Sequence, residues 1–330
     1  MTTSLRYALL DTLPHQARRV LQVTGEDALR FLQGLLSADV GELTPGRLTP
    51  AVLLTIKGKV VSEVWVAAAS EDEPWLLIPE DLADAVIASL DAHIIMDDVE
   101  LEVLEGHACA LVWGASGADP KLPAPSGAAH PGAVNVFMCT HPLAGRLLIG
   151  PPALLRSSLE QDELESGDEV TFTRARVEQA RPAWGHELAA GSFPPEIGFV
   201  DAVSYTKGCF MGQEPLSRIH NRGQVNRVMV RVRATGRPPG DTSVELSEGE
   251  GRVVGQWTSW VSDDVHDVHD DASAVTGLAI VKRKFAEPGT RLRAGEIDVE
   301  VCSAPLGDDP GRGGASGGGK SATVSLGGRR

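Results

Sequence analysis

The chain has few cysteines, few aromatic residues and no long apolar run. Its 330 residues include four cysteines, and aromatic residues make up 5% of the chain. Cys109, Cys139, Cys209 and Cys302 lie far apart, which excludes the C-x-x-C pair of a zinc site or redox dithiol and a compact disulfide framework. No apolar stretch reaches the roughly 18 to 20 residues of a membrane span, and the N-terminus lacks the layout of an export signal. We therefore predict no membrane association and a cytoplasmic location.

Positive charge is also scarce. The chain has 30 Lys and Arg against 45 Asp and Glu, a formal net charge of −15. Nonspecific binding to phosphate backbones depends on clustered Lys and Arg, so we predict no strong direct binding to nucleic acid. One cationic region stands out between residues 207 and 233, where Glu214 is the single acid. Its cations are Lys207, Arg218, Arg222, Arg227, Arg231 and Arg233.

Two segments have residue patterns that resemble ligand sites but lack the structural context that such sites require. "GASGGGKS", Gly314 to Ser321, matches the phosphate-loop pattern, but that loop works only between a buried strand and a helix. Here it lies in a Gly-rich segment without either pattern, so we predict a disordered tail over residues 307–330. His266 and His269 lie among aspartates in a predicted barrel loop, where the excess of carboxylates indicates solvated charge. We expect no permanently bound metal.

Hydrophobic residues make up 42% of the chain, which is typical of a globular protein of two or three domains at this length. Apolar spacing predicts helices over 23–36, 81–94, 152–165 and 171–184, and a hairpin around Lys57-Gly58-Lys59. The fold class is therefore α+β with mixed pairing. Residues 1–222 form the predicted body, in two lobes, with a Gly/Pro-rich loop at 114–132. Short strands at near-regular spacing predict an antiparallel barrel over 223–306.

The segment "SYTKGCFMGQEPLSRI" places Cys209 in the cationic region. Lys207 and the arginines that follow favour the thiolate, and Gly208 and Gly212 permit a positive φ and a close approach of backbone to a ligand. Glu214-Pro215 predicts the start of a short helix, whose dipole would favour an anion just before it. A lone cysteine is otherwise often a small buried hydrophobe, so the residues alone leave both interpretations open.

"KGCFMGQEPLSR" strongly resembles the K-G-C-[FY]-x-G-Q-E-x-x-x-R signature of the YgfZ-type folate-binding proteins, which are related to the glycine-cleavage T-protein, an aminomethyltransferase. The match consists of Lys207, Gly208, Cys209, Phe210, Gly212, Gln213, Glu214 and Arg218. "VTGEDALRFLQGLLSADV", "LLTIKGKVVSEVWV", "ARVEQARPAWGHEL" and "GLAIVKRKF" resemble further family segments, so the likeness extends over most of residues 17–285. In the third of these, Arg181 replaces a usual glycine.

The resemblance implies a T-protein-like ring of three lobes, with a ferredoxin-like α+β body and the C-terminal antiparallel barrel. It implies tetrahydrofolate or a derivative as cofactor, with Glu178 on the pterin ring, where a carboxylate accepts two N–H bonds. Lys207 and Arg218 are expected to hold the folate glutamate tail or to favour thiolate, and Gln213 and Glu214 to orient the loop or bind the pterin.

The same resemblance implies a function in assembly or repair of iron–sulfur clusters that supports tRNA-modifying enzymes, with iron–sulfur assembly proteins or iron–sulfur enzymes as partners. Cys209 would then be the central group, as a nucleophile, a transient cluster ligand or a redox partner. T-proteins carry an aspartate pair in the hairpin where this chain has Ser62 and Glu63, and they lack the cysteine. Glycine-cleavage aminomethyl transfer is therefore not expected, and whether the protein is an enzyme stays open. The alternatives are one-carbon transfer that uses Glu63, and a folate-binding scaffold without turnover.

Overall fold

The structure is a computed structural model that describes residues 5–41, 43–114, 122–161, 164–222, 225–238, 243–249, 251–262 and 274–306. The strands of the body are β1 (Arg6–Leu9), β2 (Arg18–Thr24), β3 (Leu48–Leu54), β4 (Val60–Ala68), β5 (Pro74–Pro79), β6 (Glu100–Val103), β7 (Ala108–Trp113), β8 (Asn135–Cys139), β9 (Gly145–Gly150) and β10 (Glu165–Ser166). The helices are α1 (Ala28–Leu35), α2 (Ala83–Asp91), α3 (Pro152–Gln161), α4 (Glu169–Gln179) and α5 (Gln213–Arg222). The remaining strands are β11 (Arg227–Thr235), β12 (Val244–Glu248), β13 (Arg252–Ser262), β14 (Ala274–Lys282), β15 (Arg291–Ala294) and β16 (Ile297–Val301).

The first sheet has the strand order β3-β4-β5-β2-β6 and is antiparallel throughout. Helices α1 and α2 cover one of its faces, because their apolar residues recur at helical spacing. Ala28, Leu32, Leu35 and Leu36 are all buried there, as the sequence predicts. The predicted hairpin around Lys57-Gly58-Lys59 is the turn between β3 and β4, and it lies beside the segment that carries Cys209.

The second sheet has the order β10-β1-β7-β9-β8 and pairs β1 with β10 in parallel, whereas its other pairs are antiparallel. Its apolar face packs against the other face of the first sheet and forms one core. The first sheet contributes Val20, Trp65, Ala67, Trp75 and Leu77, and the second contributes Leu111, Trp113, Phe137 and Leu147. The body is thus two sheets face to face, with mixed pairing as predicted.

The six strands β11–β16 close into a barrel in the order β11-β14-β13-β12-β15-β16. Alternate residues of β11, Val228, Val230 and Val232, point into the barrel core, as the period of a strand requires. The predicted antiparallel barrel is confirmed. Helix α4 lies against β13, and a 3-10 turn at Pro194–Ile197 lies against β11, so these two segments join the barrel to the body.

The proposed domain limits at 1–222, 223–306 and 307–330 stay a prediction. The predicted disordered tail with its phosphate-loop match, and the pair His266 and His269, lie outside the described residues. Of the loop predicted at 114–132, residues 115–121 also lie outside them.

Candidate functional site

The segment that carries Cys209 is fixed onto the C-terminal end of α1. The backbone N–H of Met211 donates to the carbonyl of Gly34 at 2.9 Å, and that of Ser204 donates to the carbonyl of Ser37 at 2.9 Å. The Ser37 hydroxyl donates in turn to the carbonyl of Ala202 at 2.5 Å. Backbone groups therefore hold the segment at both ends.

Lys207 also links the cysteine segment to the C-terminal end of α1, through its ammonium group. Nζ lies 2.9 Å from the carbonyl oxygen of Gln33, 2.7 Å from that of Leu36 and 2.6 Å from that of Ala38. These carbonyls lie at and just beyond the end of a helix, where backbone acceptors lack intrahelical partners. Burial lowers the pKa of Lys207 to about 8, which still leaves the group protonated at pH 7. All three donors of the ammonium are therefore used inside the protein.

Gly212 and Gly58 bring the hairpin turn and the cysteine segment into backbone contact. Gly212 has φ +79°, and a Cβ there would lie 2.4 Å from the carbonyl oxygen of Thr55. Gly58 has φ +72°, and a Cβ there would lie 3.1 Å from the carbonyl oxygen of Gly212. Only glycine permits both the positive φ and this approach. Gly208, for which the sequence predicts the same, has no positive φ and no atom within 4 Å of an added Cβ.

Cys209 itself is exposed, whereas the adjacent Phe210 is buried in the core below the segment. Phe210 thus anchors the segment from inside while the thiol faces solvent. Cys109 and Cys139 are buried, and burial raises the pKa of each to about 12, so neither is a ready thiolate. Cys302 is exposed, but partial burial raises its pKa as well.

Helix α5 begins at Gln213, directly after the cysteine segment, as Glu214-Pro215 predicts. Glu214 and Arg218 form an exposed ion pair one helical turn apart, with Oε1 and Nη2 separated by 2.6 Å. Beside them, the rings of Tyr205 and His220 stack with centroids 4.0 Å apart. The helix therefore carries an exposed ion pair soon after the cysteine segment in the chain.

Comparison with known proteins points to one family. The family model described as the GCVT N-terminal domain matches residues 15–119. The human mitochondrial protein named iron-sulfur cluster assembly factor IBA57 is 27% identical over 268 residues, which cover 73% of this chain and 72% of that protein. The tRNA-modifying protein YgfZ of Pectobacterium carotovorum is 25% identical over 244 residues, which cover 69% of this chain and 72% of that protein.

The solved structure of the glycine cleavage system aminomethyltransferase T from Bartonella henselae matches with a TM-score of 0.71 and 18% identity, over 92% of this chain and 87% of that one. This likeness shows a T-protein-like fold. In sequence and in fold, the chain resembles YgfZ-type, GcvT-like proteins.

Glu178 lies in the last turn of α4 with its side chain exposed. Its backbone carbonyl accepts a hydrogen bond from Arg231 of β11, and no donor of the described residues engages its carboxylate. Counted from Glu178, the usual glycine of this segment falls on Ala180 rather than on Arg181 as expected from the sequence. Ala180 adopts the left-handed conformation that glycine would favour, at φ 55°, and Arg181 pairs with Asp201 at 2.6 Å. Both oxygens of Glu178 are thus available to a ligand.

The predicted folate residues do not form one cluster in the described contacts. Lys207 is engaged by the end of α1, while Gln213, Glu214 and Arg218 belong to α5. The expected set contains two carboxylates, the group that can accept two N–H bonds from a 2-amino-pyrimidinone edge. Glu214 pairs with Arg218, whereas Glu178 has no donor on its carboxylate among the described residues. The folate roles of Lys207, Gln213, Glu214 and Arg218 stay predictions, and the geometry gives Lys207 a different task.

Glu63, which the one-carbon alternative requires, is fully buried. Its carboxylate lies 2.7 Å from Nη2 of Arg18 and 2.5 Å from Nε2 of His141. Burial alone would raise the pKa of Glu63, but Arg18 and His141 hold it below the ordinary value. A carboxylate enclosed in this way is not open to a substrate, so the structure argues against transfer chemistry at Glu63.

Glu187 is a second buried carboxylate, and it is not among the residues that the sequence predicts to be functional. It accepts hydrogen bonds from Arg176 at 2.9 Å, Thr258 at 2.7 Å and Ser259 at 2.6 Å. Arg176 belongs to α4, and the two hydroxyls belong to β13, so this network joins the body to the barrel. In the sequence, Glu187 stands between His186 and Leu188 with no pattern to indicate its burial.

Among the described residues, no group of three or more His, Cys, Asp and Glu side chains has the arrangement of a metal site. In the same part of the chain, no helix is both long enough and apolar enough to cross a bilayer.

Proposed function

We propose that this protein is a folate-dependent accessory factor for iron–sulfur cluster assembly or repair, which supports iron–sulfur enzymes that modify tRNA, with Cys209 as its central thiol. The observation that carries the proposal is the placement of Cys209, an exposed thiol on a segment fixed by Lys207, Phe210 and Gly212. The names of the relatives, an iron-sulfur cluster assembly factor and a tRNA-modifying protein, support the process. Its predicted compartment is the cytoplasm, and its predicted partners are iron–sulfur assembly proteins or iron–sulfur enzymes.

The fixed segment supports a thiol that acts on a partner. A thiolate is the reactive form in nucleophilic, ligand and redox chemistry, and an exposed position lets a partner protein or its cluster reach the sulfur. Because backbone contacts hold its segment, Cys209 would meet a partner in one orientation. Less conformational entropy would then be lost when the partner binds. Any cluster would be shared or passing cargo, since the buried Cys109 and Cys139 offer no further ligands at this surface.

Replacement of Cys209 tests the thiol. In cells that lack their own copy of this protein, we expect Cys209→Ser to fail in restoring an iron–sulfur-dependent tRNA modification, because serine lacks a thiolate. Cys302→Ser is the matched control, since Cys302 is also exposed, and it should restore the modification fully. Full restoration by Cys209→Ser, at equal protein levels, would remove the thiol from the proposal.

Tetrahydrofolate is the proposed cofactor, with Glu178 as the carboxylate that would hold its pterin. The cofactor supplies one-carbon chemistry when bound, and this chain would supply its orientation. In an anaerobic calorimetric titration with tetrahydrofolate, we expect Glu178→Gln to weaken binding at least about tenfold, because a charge-assisted hydrogen-bond pair is lost. Glu160→Gln, an exposed glutamate of α3, should bind as the wild type does. Absence of binding to the wild type would contradict folate dependence.

A scaffold without turnover remains the second candidate, favoured by the burial of Glu63. The two proposals predict different outcomes in one experiment, the tRNA-modification assay with Cys209→Ser. A scaffold would bind tetrahydrofolate normally and would tolerate Cys209→Ser in the modification assay.

A further inference from the structure

A cavity of about 330 Å³ lies where the hairpin turn, residues 186–197 and the barrel meet. Lys59 of the turn, Arg227 at the start of β11 and Gln256 of β13 are among the residues that line it. Small-molecule sites have volumes of roughly 300 to 1,000 Å³ and combine apolar walls with a few placed polar groups. Ile197 and Ile280 supply the apolar walls here. The cavity therefore has the size of a small-molecule site, with a lining that is mostly polar and suits a polar or charged ligand.

The two acidic residues that line the cavity, Glu187 and Glu196, both have hydrogen-bond partners within the protein. Glu187 accepts hydrogen bonds from Arg176, Thr258 and Ser259, so its charge is compensated by an adjacent guanidinium. Glu196 accepts the backbone N–H of Phe193 at 3.1 Å and lies 3.8 Å from Nζ of Lys59. Neither carboxylate needs a cation from outside.

One positive charge at the cavity, that of Arg227, has no acidic partner in the described part of the chain. Arg227 is exposed at the cavity and has no acidic or other polar partner among the residues that the structure describes. Burial, with the nearby Arg176, lowers the pKa of His186 to about 4, so this ring is neutral at pH 7 and serves as a hydrogen-bonding group. Lys59 and the buried Arg176 compensate Glu196 and Glu187, so the charge of Arg227 is left over at the cavity, although the protein as a whole carries a net charge of −15.

We propose that this cavity binds a small organic anion, a carboxylate or a phosphate ester, whose charged end pairs with Arg227. An arginine forks two parallel N–H bonds to either head group, which fixes its orientation as well as its charge. The hydroxyl of Ser192 and the amide of Gln256, which line the same cavity, offer further hydrogen bonds. A short apolar part of the anion would contact Ile197 and Ile280. This site shares no residue with the thiol segment or with Glu178, so it goes beyond the proposed function.

Calorimetric titration of the full chain with citrate, and separately with inorganic phosphate, tests the site. Ionic strength is held constant with sodium chloride, so that general screening does not differ between samples. We expect saturable binding of at least one probe to the wild type, and at least about tenfold weaker binding to Arg227→Gln, because one charged hydrogen-bond partner is removed. Binding of citrate alone assigns a carboxylate ligand, and binding of phosphate alone assigns a phosphate ester.

Arg233→Gln is the matched control, because Arg233 is an exposed arginine of the same strand that does not line the cavity. It removes the same charge and should leave binding unchanged. Equal weakening in both variants, or no saturable heat from either probe, would overturn the proposal. If the wild type failed to bind tetrahydrofolate, the proposed cofactor would be contradicted. The anion-binding result for Arg227→Gln would still stand, because the two sites share no residue.

Discussion

At the scale of single residues, Lys207 has a structural task that its charge alone does not reveal. In sequence it stands beside a cysteine in a cationic region and favours a role toward the thiolate or a folate tail. In the structure its ammonium satisfies three carbonyls at the end of α1. We infer that Lys207 acts on Cys209 through position, by holding the segment that presents the thiol.

Replacement of Lys207 should therefore affect stability and thiol behaviour together. Lys207→Met leaves three carbonyls without a donor, and we expect the free energy of unfolding in urea to fall by about 1–3 kcal/mol. The released segment should also change the rate at which Cys209 is alkylated. Lys207→Arg should recover part of both effects because it keeps the charge and the donors.

Lys57→Met is the control for this prediction, since Lys57 is an exposed lysine of the neighbouring turn. Its stability and alkylation rate should match the wild type. If Lys207→Met also matched the wild type in both measurements, Lys207 would have no positioning role.

Glu63 gives stability a defined dependence on pH. Its pKa in the folded protein lies below the ordinary value of 4.5, so the folded state binds its proton less readily than the unfolded state does. The stabilisation is therefore complete above about pH 4.5 and is lost as the pH falls through the folded pKa. Urea unfolding between about pH 3 and pH 7 measures this loss.

Glu63→Gln separates the contribution of this carboxylate. At pH 7 we expect the free energy of unfolding to fall by about 3–5 kcal/mol, because Arg18 remains buried without its counter-charge. The acid-induced loss should also become smaller than in the wild type. An unchanged acid profile would show that the ion pair with Arg18 does not carry the pH dependence.

At the scale of elements, the contact between the β3–β4 turn and the cysteine segment depends on Gly212. Gly212→Ala places a Cβ 2.4 Å from the carbonyl of Thr55 and strains a positive φ, so we expect a loss of about 1–3 kcal/mol in the free energy of unfolding. Gly106→Ala is the control, because Gly106 has φ +69° with no atom within 4 Å of the added Cβ. It measures the backbone strain alone, and an equal loss in both variants would mean that the contact with Thr55 contributes nothing.

Most elements were predictable because their signals are local. The apolar spacing of α1 indicates which of its faces is buried, and the short strands after residue 223 indicate a barrel; the structure confirms both. The parallel pairing of β1 with β10 joins Arg6 to Glu165, and no local pattern specifies such a distant partner. The same reason hides the ion pairs of Arg18 with Glu63 and of Arg176 with Glu187, since a charged residue in a strand or loop pattern looks solvated until the fold supplies its partner. The motif around Cys209 is visible in sequence because its residues are contiguous.

At the scale of the whole molecule, the fold engages several cations of residues 207–233 within the protein, so fewer of them are free than the sequence suggests. Lys207 is turned inward to carbonyls, Arg218 pairs with Glu214, and Arg231 donates to the carbonyl of Glu178. Arg227 and Arg233 remain exposed on a protein with a net charge of −15. A surface of this kind offers few phosphate contacts, so any influence on tRNA modification would pass through the enzyme that performs it.

We accordingly predict that the protein has no tight affinity of its own for tRNA. In fluorescence anisotropy at about 0.15 M salt, binding should be no stronger than the range of about 10⁻⁴ to 10⁻⁶ M that is usual for nonspecific contacts, because few counterions are released. Lowering the salt should strengthen binding only slightly, since the slope follows the number of phosphates neutralised. A basic RNA-binding protein measured beside it verifies that the tRNA is competent. Nanomolar affinity with a steep dependence on salt would instead mean that this chain contacts tRNA directly, and that Arg227 and Arg233 belong to a larger basic surface.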